Sequence, residues 1–179
     1  MNEVFIYDIT NENTNEFKVS SFLRNEYISS ITDENRKKQS YFVWKVLEKQ
    51  LTILGVNIND NFVNNNGKWS LRYGDINFSI SHSKNIVCVA LSDNKIGVDV
   101  EKIDNKILKL EKKLVVDGCK SEEEKIIALT SKWTAKEALI KSNNHGDCNY
   151  LIIKDANNEK YVVCVASNGA VNFNIIDTI

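Results

Sequence analysis

Asp99 and Glu101 alternate along Ile96-Gly97-Val98-Asp99-Val100-Glu101, and Glu137 and Lys141 lie one helical turn apart in Trp133-Thr134-Ala135-Lys136-Glu137-Ala138-Leu139-Ile140-Lys141. Three hard oxygen donors and a cation are what a divalent metal and a phosphate or pyrophosphate ester need. Mg²⁺ is typically held by a few protein carboxylates, with water and substrate phosphate oxygens completing its octahedron. Asp99, Glu101 and Glu137 could supply those ligands, and Lys141 would sit where charge develops on a phosphate. Ser81 and His82, just before the basic Lys84, could donate to another phosphate oxygen. Each piece also has an ordinary reading. A lone D-x-E is a half-exposed strand, a Glu–Lys turn is a surface pair worth about 0.3–0.5 kcal/mol, and Trp133 is a core aromatic. His82 on its own reads as a structural histidine, and His145 lies in a loop with no assigned role.

A strand and a helix must position these groups. Period-two alternation puts Ile96, Val98 and Val100 on a core face and Gly97, Asp99 and Glu101 on the other. The two carboxylates then stand roughly 7 Å apart, and Gly97 should leave open space beside them. Trp133, Glu137 and Lys141 share one face of a helix. That helix has the clearest start in the chain, because Ser121 and Glu124 form a capping box. A second helix is predicted from Asp33, with Phe42, Val46, Leu47 and Leu51 at helical spacing, to Gly55. Weaker helical patterns cover Glu16 to Tyr27 and Ile107 to Leu114, and an asparagine-rich connection covers Asn57 to Asn66.

Strands are predicted at Val4 to Ile9, Ile76 to Ser81, Ile86 to Leu91 and Lys95 to Glu101, the last two joined by a hairpin at Ser92-Asp93-Asn94. Tyr150 to Lys154, Lys160 to Ala166 and Ala170 to Ile176 read as a β-meander. The order of elements indicates an α+β fold with largely antiparallel sheet. Each half, split near residue 95, combines a long helix with strands.

The bulk properties set bounds. With 179 residues, 42% hydrophobic and 26% charged, the chain can bury a core without disulfides or structural metal. A net charge of -1 gives no reason to expect nucleic-acid binding. Cys88, Cys119, Cys148 and Cys164 form no C-x-x-C pair, which fits reduced thiols. Without a signal-peptide pattern or a membrane-length apolar run, a cytoplasmic location away from membranes is expected. There is no G-x-G-x-x-G, Walker A, H-E-x-x-H, zinc spacing or G-x-S-x-G.

Taken together, these segments resemble the 4′-phosphopantetheinyl transferases, specifically the surfactin-synthetase-activating type. That family carries a G-[IV]-D-[IV]-E strand and a W-[ST]-x-K-E-[AS]-x-x-K helix. Gly97 to Glu101 and Trp133 to Lys141 match both at every defined position. Phe78-Ser79-Ile80-Ser81-His82-Ser83 looks like its F-[NS]-[IL]-S-H-S segment. Gly67-Lys68 resembles the start of its G-K-P, and Arg36-Lys37-Lys38-Gln39-Ser40 resembles an upstream basic helix ending in Ser. The resemblance covers about residues 20 to 141, in order.

The resemblance implies transfer of the phosphopantetheine arm of coenzyme A to a serine of an apo acyl or peptidyl carrier protein. Adenosine 3′,5′-bisphosphate is released. Asp99, Glu101 and Glu137 would hold Mg²⁺, with Mn²⁺ as a substitute. Glu137 would also be the general base, and Lys141 would neutralise the leaving phosphate. Lys68, Ser81 and His82 would contact coenzyme A, with Arg24, Lys38 and Ser40 toward its 3′-phosphate. The family fold, two similar α+β halves related by a pseudo-twofold, would place the site between residues 1–95 and 96–179. Because both halves lie in one chain, a monomer is expected to form the whole site. The alternative is a diverged module that binds coenzyme A or a carrier protein without transferring the arm.

Overall fold

The two long helices start where their caps predict. Asp33 accepts from Arg36 N at the start of α2 (Glu34–Ile53). Ser121 accepts from Glu124 N at the start of α3 (Glu122–Lys141). Glu124 returns a bond to Lys120 N, one residue before the cap. A third helix, α1, spans Phe22–Ser30. It begins later than its apolar pattern suggests, because the hydroxyl of Ser21 accepts from Arg24 N and caps it there. The computed structural model describes residues 1–14, 16–59, 61–65 and 67–179.

The described strands are β1 (Asn2–Asp8), β2 (Phe62–Asn65), β3 (Lys68–Leu71), β4 (Asn77–Ser83), β5 (Ile86–Ser92), β6 (Ile96–Lys102), β7 (Asp147–Lys154), β8 (Lys160–Ser167) and β9 (Asn172–Ile176). One sheet has the order β4-β5-β1-β9, another β6-β8-β7, and β2-β3 form a separate ribbon. All pairings are antiparallel except β1 with β9. The fold is therefore mixed α+β with mainly antiparallel sheets.

Alternation on β1 and β5 sorts the core. Tyr7, Val87, Val89 and Leu91 pack against α2 through Phe42, Val43, Val46, Leu47 and Leu51. Val4, Ile6, Ile86, Cys88 and Ala90 face the other way, toward Val98, Val100, Tyr161, Val163 and Val165 of the second sheet. On that sheet's far face, Cys164 and Ala166 meet Ala135 and Ala138 of α3. The layers run helix, sheet, sheet, helix. This explains why β5 and β8 are buried along nearly their whole length, as only strands covered on both faces are.

Several expectations change. Ser92-Asp93-Asn94 is not a hairpin. β5 is already flanked by β4 and β1, so β6 joins the other sheet. The tight turn instead joins β4 to β5 at Lys84-Asn85, with Lys84 at φ 52°. The expected C-terminal meander keeps only its first hairpin, β7-β8, since β9 crosses back to the first sheet beside β1. The weak pattern at Ile107 to Leu114 forms a 3₁₀ helix over Asn105–Leu110. The connection expected over residues 57–66 contains strand β2, and its Asp60 and Asn66 lie outside the described residues. Among the described residues, no helix is long and apolar enough to cross a membrane.

Candidate functional site

Gly97 sets the distance between the strand and the helix that carry the acidic groups. A Cβ at this position would fall 2.0 Å from Ala138 O and 2.6 Å from Ser142 N. The missing side chain does not leave open space beside Asp99. It lets the last turn of α3 lie against β6, where Ala135 and Ala138 are also small.

That approach delivers Lys141 to Asp99. Lys141 Nζ donates to Asp99 Oδ1 at 2.7 Å, Val98 O at 3.0 Å and Ile80 O at 3.4 Å, so one ammonium ties β6 to β4. Asp99 is only 5% exposed. Its Oδ1 also accepts from Ser81 Oγ at 2.8 Å, whereas Oδ2 is buried without a hydrogen-bond partner among the described residues.

Glu101 is half-buried, held by Ser83 Oγ at 3.2 Å and Trp133 Nε1 at 3.4 Å. Burial pushes its carboxyl above the usual range, and the neighbouring Asp99 charge adds to this. Glu137 lies between Trp133 and Lys141 on the same helical face. It has no ion-pair partner among the described residues.

Among the described residues, no three His, Cys, Asp or Glu side chains are gathered as a ready-made metal site. The donor chemistry nevertheless suits a hard divalent cation. Among the described residues Asp99 Oδ2 is a buried oxygen without a partner, Glu101 retains spare lone pairs, and Glu137 has no ion-pair partner. Mg²⁺ often takes only one or two protein carboxylates and leaves its other positions to water and phosphate.

Beside this acidic strip lies a basic cavity of about 660 Å³, bounded by Arg24, Ser40, Lys68, Ser81, His82 and Lys141. Every residue expected to face coenzyme A lines it except Lys38. Lys38 belongs to an adjoining cavity of about 650 Å³ with Arg36 and Lys84, and His82 borders both. Burial holds His82 well below the ordinary histidine range, to about 4, and the positive charges of Lys141, Arg24 and Arg36 act in the same direction. The ring is therefore neutral at pH 7.

Arg24 is the most unusual member. It is 3% exposed, and its Nη2 donates to Ser40 Oγ at 2.7 Å and Ser40 O at 3.2 Å. Its Nε is buried and unpartnered, and no carboxylate pairs with it among the described residues. Three aromatic rings surround the guanidinium, with Tyr27 and Trp44 at 4.6 Å and Trp69 at 5.3 Å. Burial lowers its pKa to about 10, so it remains charged at neutral pH. A buried cation without a paired carboxylate among the described residues, lining a cavity, is suited to an anionic ligand.

Sequence reading missed three contacts. Lys68 Nζ bonds Asn143 Oδ1 at 2.9 Å and joins the β2-β3 ribbon to the end of α3. Trp69 and Tyr27 belong to the Arg24 cage, which no linear spacing reveals. The hydroxyl hydrogen of Ser81, expected to serve a phosphate, is committed to Asp99.

No protein-family model matches this chain, and no curated protein matches it either. Fold and site define a mixed α+β protein. In it a basic cavity is lined by Ser81 and Lys141, both of which hydrogen-bond Asp99 of a buried acidic strand.

Proposed function

We propose that this protein is a 4′-phosphopantetheinyl transferase with that family's two-half fold, acting on coenzyme A and an apo acyl or peptidyl carrier protein. The observation that carries the reading is the convergence on one cavity of Arg24, Ser40, Lys68, His82 and Lys141, with Asp99 held behind its wall by Ser81 and Lys141 and its Oδ2 unclaimed among the described residues. Those groups are far apart in sequence, and they are the ones the family resemblance selects.

In this reading the cavity holds the bisphosphate end of coenzyme A. Arg24 and Ser40 lie toward the 3′-phosphate, and Lys68 and His82 toward the pyrophosphate. Asp99, Glu101 and Glu137 would hold Mg²⁺, which supplies charge neutralisation at the pyrophosphate. Glu137 takes the proton from the carrier serine, directly or through one water. The serine oxygen forms a bond to the phosphorus of the phosphopantetheine phosphate. The bond from that phosphorus to the bridging oxygen breaks, and adenosine 3′,5′-bisphosphate departs with charge developing beside Lys141. Ser81 orients Asp99 rather than touching phosphate.

The test is to incubate the protein with coenzyme A, Mg²⁺ and a panel of apo carriers and to weigh the carriers. A mass gain of one phosphopantetheine group that disappears in Glu137→Gln supports transfer. Coenzyme A binding without transfer to any carrier would replace it with the non-catalytic binding module.

A further inference from the structure

The edges of the two sheets meet along β4 and β6 without a backbone ladder between them. Buried N–H groups on β6 must still find acceptors, since an orphaned one costs about 1–3 kcal/mol. They find them in side chains. Ser79 Oγ accepts from Val98 N at 3.0 Å, Ser81 Oγ from Val100 N at 3.3 Å, and Ser83 Oγ from Lys102 N at 3.2 Å. The offset is 19 residues at every rung, so the three serines fix one register.

A hydroxyl that accepts an N–H still has its own hydrogen to donate. Ser81 gives it to Asp99 and Ser83 to Glu101, both at an offset of 18. At the same offset from Ser79 stands Gly97, which has no acceptor side chain. The spacing Ser79-x-Ser81-x-Ser83 thus complements Gly97-x-Asp99-x-Glu101 rung by rung. Two rungs join the sheets and aim a carboxylate, and the third only joins the sheets.

We infer that Ser81 and Ser83 are positioning residues that set the orientation of Asp99 and Glu101 toward a divalent cation, while Ser79 serves the seam alone. This rests on the cation-dependent reading proposed above. A serine does both tasks because one oxygen accepts and donates at once. Alanine would do neither, and threonine retains the hydroxyl at the half-buried Ser83.

Ser79 supplies an internal control, since its loss removes the same kind of seam bond without touching a carboxylate. The experiment titrates Mn²⁺ into protein saturated with coenzyme A and follows the free-ion signal by electron paramagnetic resonance. Melting temperatures are recorded for each variant. Ser81→Ala and Ser83→Ala are expected to weaken Mn²⁺ binding about tenfold, as loss of an oriented ligand's partner does. Ser83→Thr restores binding, and Ser79→Ala lowers the melting temperature but leaves Mn²⁺ affinity within about twofold of the parent, too small a change for a lost ligand partner. Parent-like affinity in both Ser81→Ala and Ser83→Ala overturns the inference and leaves the proposed transfer standing. Equal weakening in Ser79→Ala does the same. If the parent binds coenzyme A but no Mn²⁺, the cation assignment itself fails. Should Ser81→Ala not fold, the two Ser83 variants decide the matter.

Discussion

Lys141 Nζ lies 2.7 Å from Asp99 Oδ1, while the other oxygen of that carboxylate is buried without a partner among the described residues. The lysine thus serves as internal counter-cation for half of the aspartate. Lys141→Met would leave a carboxylate of 5% exposure uncompensated. Because Lys141 is a third exposed, the expected loss is about 2–3 kcal/mol, below the cost of breaking a fully buried pair. Millimolar Mg²⁺ should then raise the melting temperature of the variant more than that of the parent. Equal shifts in the two proteins would show that no cation can take the lysine's place.

Gly97→Ala places a methyl group against backbone, at Ala138 O and Ser142 N. Backbone cannot rotate away as a side chain can, so the cost should reach or exceed the upper end of ordinary overpacking, about 3 kcal/mol. Urea unfolding measures it. A loss below about 0.5 kcal/mol, the range of neutral surface changes, would mean that α3 does not rest on β6 as described.

His82 makes a pH-dependent contribution of defined sign. An unfolded histidine protonates near pH 6.5, about the ordinary value, while the folded ring does so only at about 4. Between these values the unfolded chain binds the extra proton, so stability falls as pH drops from 6.5 toward 4 and is fully present above that window. The total is on the order of 3 kcal/mol. His82→Asn should flatten this part of the stability profile relative to the parent, as read by urea unfolding at a series of pH values. Parallel profiles would remove His82 as the cause.

Arg24 buries a charge that no carboxylate pairs with among the described residues. Arg24→Met should therefore leave the melting temperature of the free protein within a few degrees of the parent. Coenzyme A affinity should fall by at least about tenfold, corresponding to 1.4 kcal/mol. Calorimetric titration and thermal melts separate the two effects. A large melting loss with unchanged affinity would make Arg24 a structural residue of the aromatic cage.

Much of this architecture was legible in local chemistry. Asp33 and Ser121 start the helices they were expected to start, and alternation around Asp99 assigned its two faces correctly. What remained hidden depends on one element meeting another. Ser79 and Ser81 sit on the polar face of an alternating strand, yet they are buried, because β6 lies against them. Gly97 read as open space because nothing in its neighbours announces that a helix terminus will approach. Ser92-Asp93-Asn94 has good turn chemistry, but β5 had already acquired both partners.

The parallel pairing of β9 with β1 has a consequence for how the protein is made. Residues 2–8 leave the ribosome well before residues 172–176, the strand that covers their outer edge. Until residues 172–176 emerge, β1 carries an unpaired row of backbone donors and acceptors, the kind of edge that recruits foreign strands. The first sheet cannot be completed before residue 176 has emerged, and a nascent chain stalled before residue 172 keeps its first strand open on one side.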